Sequence, residues 1–299
     1  MSLMRFASIA ILITAAALAA AAQSRHAARG SDSSGTILTV TAKRTDGKSD
    51  PIRLENIYLY ENGIEHRVNG FSYDPSPSRI VLIVDNSLTL AASTEKLSAA
   101  VMEFAYEIYD GDQLFVIAYD EKPEIIQEWT DSADKLKESL GLLRKTGNPY
   151  LFDALNVTMR EVLQPLMPGT RKTAVVVIGD GLDRGSDAEF DRLLADLQMM
   201  NVTVYALQLP DRTGGAYRRN QPKAGVVIKR LTDETGGLAF PLDDAQTAAK
   251  AICDELRQDR YLLSYLPLNT SSYEPRRLLL LGDEGISLRT KKAQPPNIK

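Results

Sequence analysis

Oxygen-bearing side chains follow two apolar segments of the chain, at the points where buried strands would end. Segment 80–84 is followed by an Asp-x-Ser-x-Thr loop, and segment 174–178 is followed by Gly-Asp-Gly. The side chains concerned are Asp85, Ser87, Thr89 and Asp180. The alternation in the first loop can turn a carboxylate and two hydroxyls towards one point, and Mg²⁺ prefers oxygen ligands that include one or two carboxylates. The spacing therefore predicts a partly open divalent-cation site, unless Ser87 and Thr89 only cap the helix that follows.

Strands and helices alternate along most of the chain. Apolar runs at 80–84, 113–119, 174–178, 202–207 and 260–266 predict strands, and amphipathic stretches between them predict helices. Two of these runs are apolar throughout, as expected where helices cover both faces of a sheet. The predicted fold class is α/β, with a Rossmann-like, doubly wound, mainly parallel sheet, a small N-terminal β unit and C-terminal strands. Such sheets carry functional groups at the carboxyl ends of their strands, so the two loops are expected to meet.

Composition divides the chain into five predicted segments. They are a signal peptide (1–22), a flexible leader (23–35), a small β unit (36–75), an α/β domain (78–266), and C-terminal strands with a tail (267–299). Residues 1–22 contain one arginine and then an uncharged apolar run that ends in small residues, which is typical of a secretory signal. We therefore expect a periplasmic or secreted protein, with membrane contact only if this segment stays uncleaved. Asn62-Gly63 between two short strand-like runs predicts a hairpin.

The residue counts exclude several classes of function. The chain has 299 residues and a net charge of −4, whereas binding to a phosphate backbone needs a basic surface, so a nucleic-acid partner is not expected. One cysteine rules out an intrachain disulfide and a cysteine-rich zinc site. Two histidines leave little scope for histidine-based catalysis.

Together, these motifs resemble the von Willebrand factor type A domain and its metal-ion-dependent adhesion site. Segments 111–117 and 235–237 also fit that family, while 60–63 and 256–265 resemble a bacterial exported subgroup, so the resemblance spans residues 36 to about 292. It implies that Asp85, Ser87, Thr89 and Asp180 hold Mg²⁺, or Mn²⁺ or Ca²⁺. It also implies protein binding or adhesion rather than catalysis, with an Asp or Glu of a protein partner as the last metal ligand.

Two positions depart from the family pattern. Pro149 stands where the family has a threonine that completes the metal shell, and proline has no side-chain oxygen. Thr146, Asn148 or a water is a candidate substitute. Leu88 replaces the glycine that is commoner within the first loop. These changes leave open a second interpretation, a structural scaffold whose site no longer holds metal.

A phosphatase of the haloacid dehalogenase type is the enzyme alternative, because it also has an Asp-x-Asp-x-Thr loop and a later Gly-Asp-Gly-x-x-Asp segment. Here Ser87 replaces the second aspartate of the loop, and serine cannot protonate a leaving group near neutral pH. Lys145 and Lys172 are the candidates for the phosphate-binding lysine. A phosphatase assay separates this interpretation from the binding module.

Other singled-out residues have structural interpretations. We expect His66 at the surface of a hairpin strand, Cys253 and Trp129 in packing roles, and 210–223 as a solvated loop that shapes partner choice. Ser186 and Glu189 have the spacing of a helix capping box.

Overall fold

The computed structural model describes residues 35–166, 172–210, 221–267 and 273–296. Its strands are β1 (Thr36–Arg44), β2 (Ile57–Glu61), β3 (Ile64–His66), β4 (Val68–Tyr73), β5 (Ser78–Asp85), β6 (Gln113–Tyr119), β7 (Pro123–Thr130), β8 (Lys172–Gly179), β9 (Thr203–Gln208), β10 (Ala239–Pro241), β11 (Arg260–Tyr265), β12 (Arg276–Gly282), β13 (Ile286–Arg289) and β14 (Ala293–Gln294). Its α-helices are α1 (Thr94–Glu107), α2 (Ala133–Ser139), α3 (Leu151–Val157), α4 (Phe190–Met199), α5 (Ala224–Thr235) and α6 (Ala245–Gln258). The predicted signal peptide and leader, apart from Gly35, lie outside these residues, as does most of the 210–223 loop.

The central sheet of the described chain has the strand order β10-β9-β8-β5-β6-β7. Neighbouring strands are parallel except for β7, which runs antiparallel to β6 at one edge. Every residue of β5 and β8 is buried, because helices cover both faces of the sheet. This confirms the predicted fold class. Because β8, β5 and β6 are adjacent and parallel in the sheet, their carboxyl ends lie side by side.

Two hydrophobic cores flank the central sheet. Helices α1, α2 and α6 pack on one face, where Leu97, Leu136 and Ile252 are fully buried. Helices α3, α4 and α5 pack on the other face, around Phe152 and Leu231. The apolar stripes that predicted these helices are the surfaces that they bury. The helix after residue 130 is shorter than its pattern suggests and continues as a 3₁₀ turn at Leu140–Leu142.

The strands that flank the α/β domain form two further sheets, with the orders β13-β1-β11-β4 and β14-β12-β2-β3. The two sheets share one core, to which Leu38, Leu59, Leu263 and Leu278 contribute. The N-terminal and C-terminal strands therefore fold together as a β-sandwich. The predicted hairpin is present, since β2 pairs with β3 across Asn62-Gly63. The segment limits given above stay a prediction.

Strand β11 corrects the sequence-based assignment. Residues 260–266 were expected to extend the parallel sheet, but β11 pairs antiparallel with β1 and β4 instead. The local pattern of a strand does not specify its partner, and this partner lies at the other end of the chain. Strand β7 was not predicted, because its run contains a proline and several charged residues, as suits an edge strand.

A buried polar network joins the sandwich to the central domain. Glu255 on α6 accepts hydrogen bonds at Oε1 from Thr41 of β1 (3.0 Å) and from the Tyr205 hydroxyl of β9 (2.5 Å). Arg289 of β13 forms an ion pair with the same carboxylate. Arg260 donates to Thr41 (3.1 Å) and to Thr203 (2.6 Å). Because most of these groups are buried and all are hydrogen-bonded, the network fixes the positions of α6 and β9 relative to the sandwich strands β1, β11 and β13.

The predicted capping box at Ser186 and Glu189 is wrong. Glu189 is the N-cap residue of α4, but its side chain makes no capping bond, and the Ser186 hydroxyl donates to Asp183 instead (2.5 Å). His66 is also not a surface residue, because only 7% of it is exposed and its ring contacts Tyr265 edge-on. None of the helices in the described ranges is long and apolar enough to cross a membrane.

Candidate metal centre

The register of the central sheet places the candidate ligands at one edge. Strand β5 pairs in parallel with both β6 and β8, so that Asp85 lies opposite Tyr119 and Val84 lies opposite Ile178. Asp180 follows the last residue of β8 directly. The carboxyl ends of β5 and β8 thus bring the two predicted loops together, as the order of parallel strands requires.

Asp85 is a fully buried carboxylate that is only half satisfied. Its Oδ1 accepts a hydrogen bond from the backbone N–H of Ser87 (2.8 Å). Its Oδ2 is buried and has no hydrogen-bond partner among the described residues. A buried charged oxygen without a partner is costly, so this atom marks a position where a ligand would be stabilising.

The two hydroxyls of the loop lie beside Asp85 and point towards each other. Ser87 Oγ and Thr89 Oγ1 are 3.1 Å apart. Ser87 is buried, whereas Thr89 is partly exposed, so the pair leads from the buried carboxylate towards solvent. Neither residue caps the following helix, since α1 begins after Ser93, whose hydroxyl accepts from the N–H of Lys96 (3.3 Å). The capping alternative is therefore wrong.

Asp180 provides the second carboxylate of this edge. It is 4% exposed, and its Oδ1 accepts the N–H of Leu182 (2.9 Å). Burial, together with the charge of Asp180, raises the pKa of Asp85 to about 6, although hydrogen bonds from Ser87 and the charge of Lys145 act in the opposite direction. The two carboxylates thus repel each other across the edge, which a divalent cation would relieve.

Tyr119 is a component of this edge that the sequence analysis missed. Its hydroxyl is fully buried and has no hydrogen-bond partner in the described chain. A Cβ on Gly179 would lie 3.0 Å from Asp85 Cβ and 3.3 Å from the Tyr119 hydroxyl, so only glycine allows this approach. Burial, with the charge of Asp85, raises the pKa of Tyr119 well above its usual value, which keeps the phenol protonated. The parallel pairing of β5 with β6 places Tyr119 opposite Asp85, and this register identifies Tyr119 as part of the site.

The loop with the unusual proline closes over the Asp85 loop through backbone hydrogen bonds. The N–H of Thr146 donates to Asn86 O (3.0 Å), and the N–H of Leu88 donates to Gly147 O (3.1 Å). Pro149 is buried, and its carbonyl accepts the N–H of Arg184 (2.8 Å). At position 149, where the family has a threonine, this loop therefore has no side-chain hydroxyl.

The proposed substitutes for that hydroxyl differ in their surroundings. The side-chain amide nitrogen of Asn148 donates a hydrogen bond to Glu121 Oε1 (3.1 Å). Thr146 is half-buried beside the loop. Lys145 stands out more, because its ammonium donates to Leu90 O (2.9 Å) and interacts electrostatically with Asp85 and Asp180.

The residues present fit a divalent cation. Asp85, with its partnerless Oδ2, shares this end of the sheet with two paired hydroxyls and a second carboxylate, which is the hard oxygen chemistry that Mg²⁺ and Mn²⁺ prefer. Octahedral coordination takes about six oxygens, so waters or a partner group would complete the shell. No group of three or more His, Cys, Asp or Glu side chains in the described ranges is placed to hold a metal, so a site here depends on its hydroxyls.

The geometry separates the two candidate lysines of the phosphatase interpretation, because Lys145 interacts electrostatically with Asp85 and Asp180 whereas Lys172 lies at the other end of the sheet. Lys172 begins β8, whereas Asp85 ends β5, so the two lie at opposite edges of the parallel sheet. The Lys172 ammonium donates to Leu256 O (2.8 Å) beside the sandwich.

Cys253 is buried in α6, and burial raises the pKa of its thiol, so it is not an activated nucleophile. Trp129 packs against Phe115, as expected.

Residues 80–182 match the family model of the von Willebrand factor type A domain. This segment, about a third of the chain, is therefore similar in sequence to that domain family. Domains of this family are generally interaction modules rather than enzymes. Among curated proteins, none matches the chain.

Several solved structures are similar to parts of the chain. An aerotolerance-related membrane protein from Bacteroides fragilis is 17% identical, with a TM-score of 0.48, over 60% of this chain and 99% of its own. Protein BatB from Bacteroides thetaiotaomicron is 16% identical, with a TM-score of 0.47, over 60% of this chain and 97% of its own. A proximal thread matrix protein from the mussel byssus, solved with zinc in its adhesion-site motif, is 14% identical, with a TM-score of 0.47, over 65% of this chain and 48% of its own.

Proposed function

We propose that this protein is an exported binding module that holds a divalent cation at the carboxyl edge of its central sheet and uses it to engage an acidic group of a protein partner. The observation that carries the proposal is the buried Oδ2 of Asp85, which lacks a hydrogen-bond partner beside the paired hydroxyls of Ser87 and Thr89. The proposed ligands are Asp85, Ser87, Thr89 and Asp180. The proposed cation is Mg²⁺, with Mn²⁺ or Ca²⁺ as alternatives.

The composition of the site supports a role in binding. Two carboxylates and two hydroxyls leave coordination positions free, and a cation held by few negative ligands remains attractive to a further carboxylate. Leu88 lies in the same loop and is 67% exposed. A leucine this exposed beside the cation offers an apolar contact to a partner whose Asp or Glu enters the site. The exported location rests on the apolar segment at 6–22 and stays a prediction.

A thermal melt of the full chain tests the metal step. The midpoint should rise when Mg²⁺ or Mn²⁺ replaces EDTA, because a ligand that binds only the folded state stabilises it. The rise should vanish in Asp85→Ala and shrink in Ser87→Ala. Asp187→Ala is the matched control, since it removes an exposed aspartate and should leave the rise unchanged. An equal rise in Asp85→Ala would refute the site.

The partner step is tested with a small acidic probe. Mn²⁺ bound to the protein relaxes the protons of its coordinated water, and N-acetyl-aspartate should reduce this relaxation as its carboxylate displaces that water. N-acetyl-asparagine is the control, because it has the same shape and lacks only the side-chain carboxylate. No difference between the two probes would contradict carboxylate capture.

The second candidate function is a structural scaffold without metal, and Pro149 is the observation that favours it. It predicts no metal-dependent change in the melting midpoint at millimolar Mg²⁺ or Mn²⁺, in the wild-type chain or in the variants. The same melts therefore decide between the two functions.

A further inference from the structure

We propose that Lys145 is a resident cation of this edge, which lowers the affinity of the Asp85–Asp180 site for divalent metal and so keeps the site responsive to metal concentration. The proposal rests on the metal function proposed above and concerns the regulation of that site. It assigns a role to a residue outside the predicted ligand set.

The position of the ammonium is fixed by the loop that carries it. Lys145 Nζ donates to Leu90 O (2.9 Å), and Leu90 is buried directly after Thr89. Backbone hydrogen bonds join residues 146–147 to residues 86–88 on the same side. The ammonium is therefore held by the backbone of the loop that carries Ser87 and Thr89. A lysine without this hydrogen bond would move more freely, and its charge would act less strongly on the site.

Charge connects this lysine to both carboxylates. Asp85 and Asp180 each stabilise the charged form of Lys145, although burial lowers the pKa of its amine. Lys145 is half-buried, so water screens its charge less than that of an exposed lysine. Its charge offsets part of the repulsion between the two carboxylates in the metal-free protein. A divalent cation that enters the site is then repelled by this positive charge, which lowers its affinity.

Two changes in one loop act in the same direction. Pro149 stands in place of a neutral oxygen ligand. Lys145, four residues earlier, brings the positive charge of its side chain to the site. Both weaken metal binding, yet neither removes the buried carboxylate that attracts the metal. The same ammonium attracts an incoming carboxylate, so Lys145 weakens the metal while favouring an acidic partner.

Titration of the full chain with Mn²⁺, followed by calorimetry near neutral pH, tests the proposal. Lys145→Gln should bind Mn²⁺ on the order of tenfold more tightly than the wild type, because a nearby positive charge is removed. Lys145→Arg keeps the charge and should bind as the wild type does. Arg144→Gln makes the same charge change at the adjacent, exposed position and should leave the affinity unchanged. Equal or weaker binding by Lys145→Gln would overturn the proposal.

A second measurement separates this role from a purely structural one. In EDTA, Lys145→Gln should melt at a lower temperature than the wild type, because Asp85 loses a favourable charge. A structural role through Leu90 O predicts that lower midpoint without tighter Mn²⁺ binding. If the wild type binds Mn²⁺ through Asp85 and Lys145→Gln binds no more tightly, only the role of Lys145 fails. If Lys145→Gln also shows no binding at millimolar Mn²⁺, the metal function itself fails as well.

Discussion

Replacing Asp85 with asparagine should stabilise the metal-free protein while abolishing its response to metal. Asparagine has the shape of aspartate and keeps an oxygen that can accept the N–H of Ser87. It removes a charge that is fully buried. Its amide can also donate to the Tyr119 hydroxyl, which has no partner among the described residues. A change that damages function is thus expected to strengthen the fold.

The expected gain follows from the pKa of Asp85. An ordinary aspartate has a pKa near 3.9, and burial raises that of Asp85 to about 6. The difference is about two pKa units at roughly 1.4 kcal/mol each, so ionised Asp85 costs the folded state about 3 kcal/mol. Because the folded-state pKa is raised, this cost is present at a pH well above 6 and disappears as the pH falls towards 4. For a chain of this size the gain corresponds to roughly 6–12 °C in Tm.

The assay is a melt of both proteins in EDTA at about pH 8 and again at about pH 4.5, followed by the pH 8 melt with Mn²⁺. Asp85→Asn should melt above the wild type at the higher pH, and the difference should shrink at the lower pH. Added Mn²⁺ should raise the wild type alone. Asp187→Asn is the exposed control and should follow the wild type throughout. An Asp85→Asn midpoint at or below that of the wild type in EDTA at pH 8 would refute the argument that Asp85 is an uncompensated buried charge.

Three further predictions concern the stability of the protein and involve residues away from the metal edge, the end of the central sheet that carries Asp85 and Asp180. Burial lowers the pKa of Lys291 to about 7, so between about pH 7 and 10 the folded chain has lost this proton while the unfolded chain keeps it, and stability should increase by up to roughly 1.4 kcal/mol per pH unit; urea unfolding of Lys291→Met should lose this slope, and parallel pH profiles would contradict it. Glu255→Ala should cost about 3–5 kcal/mol in urea unfolding, because it leaves the fully buried Tyr205 hydroxyl and the partly buried Arg289 without their shared acceptor; a loss below about 1 kcal/mol would show that the network is not coupled. Gly237→Ala should abolish soluble expression or lower Tm sharply, because the new Cβ would lie 1.9 Å from Val204 O; a wild-type melting curve would mean that this close approach is not required.

The sequence was sufficient to predict strands β5, β6, β8 and β9 of the central sheet and the meeting of its two loops. A parallel sheet with buried strands has a local signature, the continuous apolar runs of β5 and β8, and parallel strands must end at the same edge. Asp85 and Asp180 are therefore neighbours by construction of the fold. Their metal-binding role stays a prediction, because a local pattern specifies which oxygens converge but not how strongly a cation is held.

The sequence could not predict contacts that depend on distant pairing. Strand β11 has an ordinary strand pattern, and only long-range pairing with β1 shows that it belongs to the sandwich. Lys145 carries no motif, because its proximity to Asp85 depends on how two loops are joined by backbone hydrogen bonds. Tyr119 needed the register of β5 against β6. Tyr119, which the sequence analysis missed, and Lys145, which it considered only as a phosphate-binding lysine, thus have roles that depend on tertiary structure rather than on spacing.

The placement of the sandwich leaves the metal edge open to a partner. Strand β5 begins at Ser78, five residues after β4 of the sandwich, and Arg260 of β11 bonds to Thr203 at the start of β9. The sandwich therefore contacts the amino ends of the central strands. Asp85 lies at the other end of the eight-residue β5, about 25 Å away at roughly 3.3 Å per residue. A partner that enters the metal edge would meet loops rather than the sandwich, so substitutions in Glu255 or its network should alter stability without altering Mn²⁺ affinity.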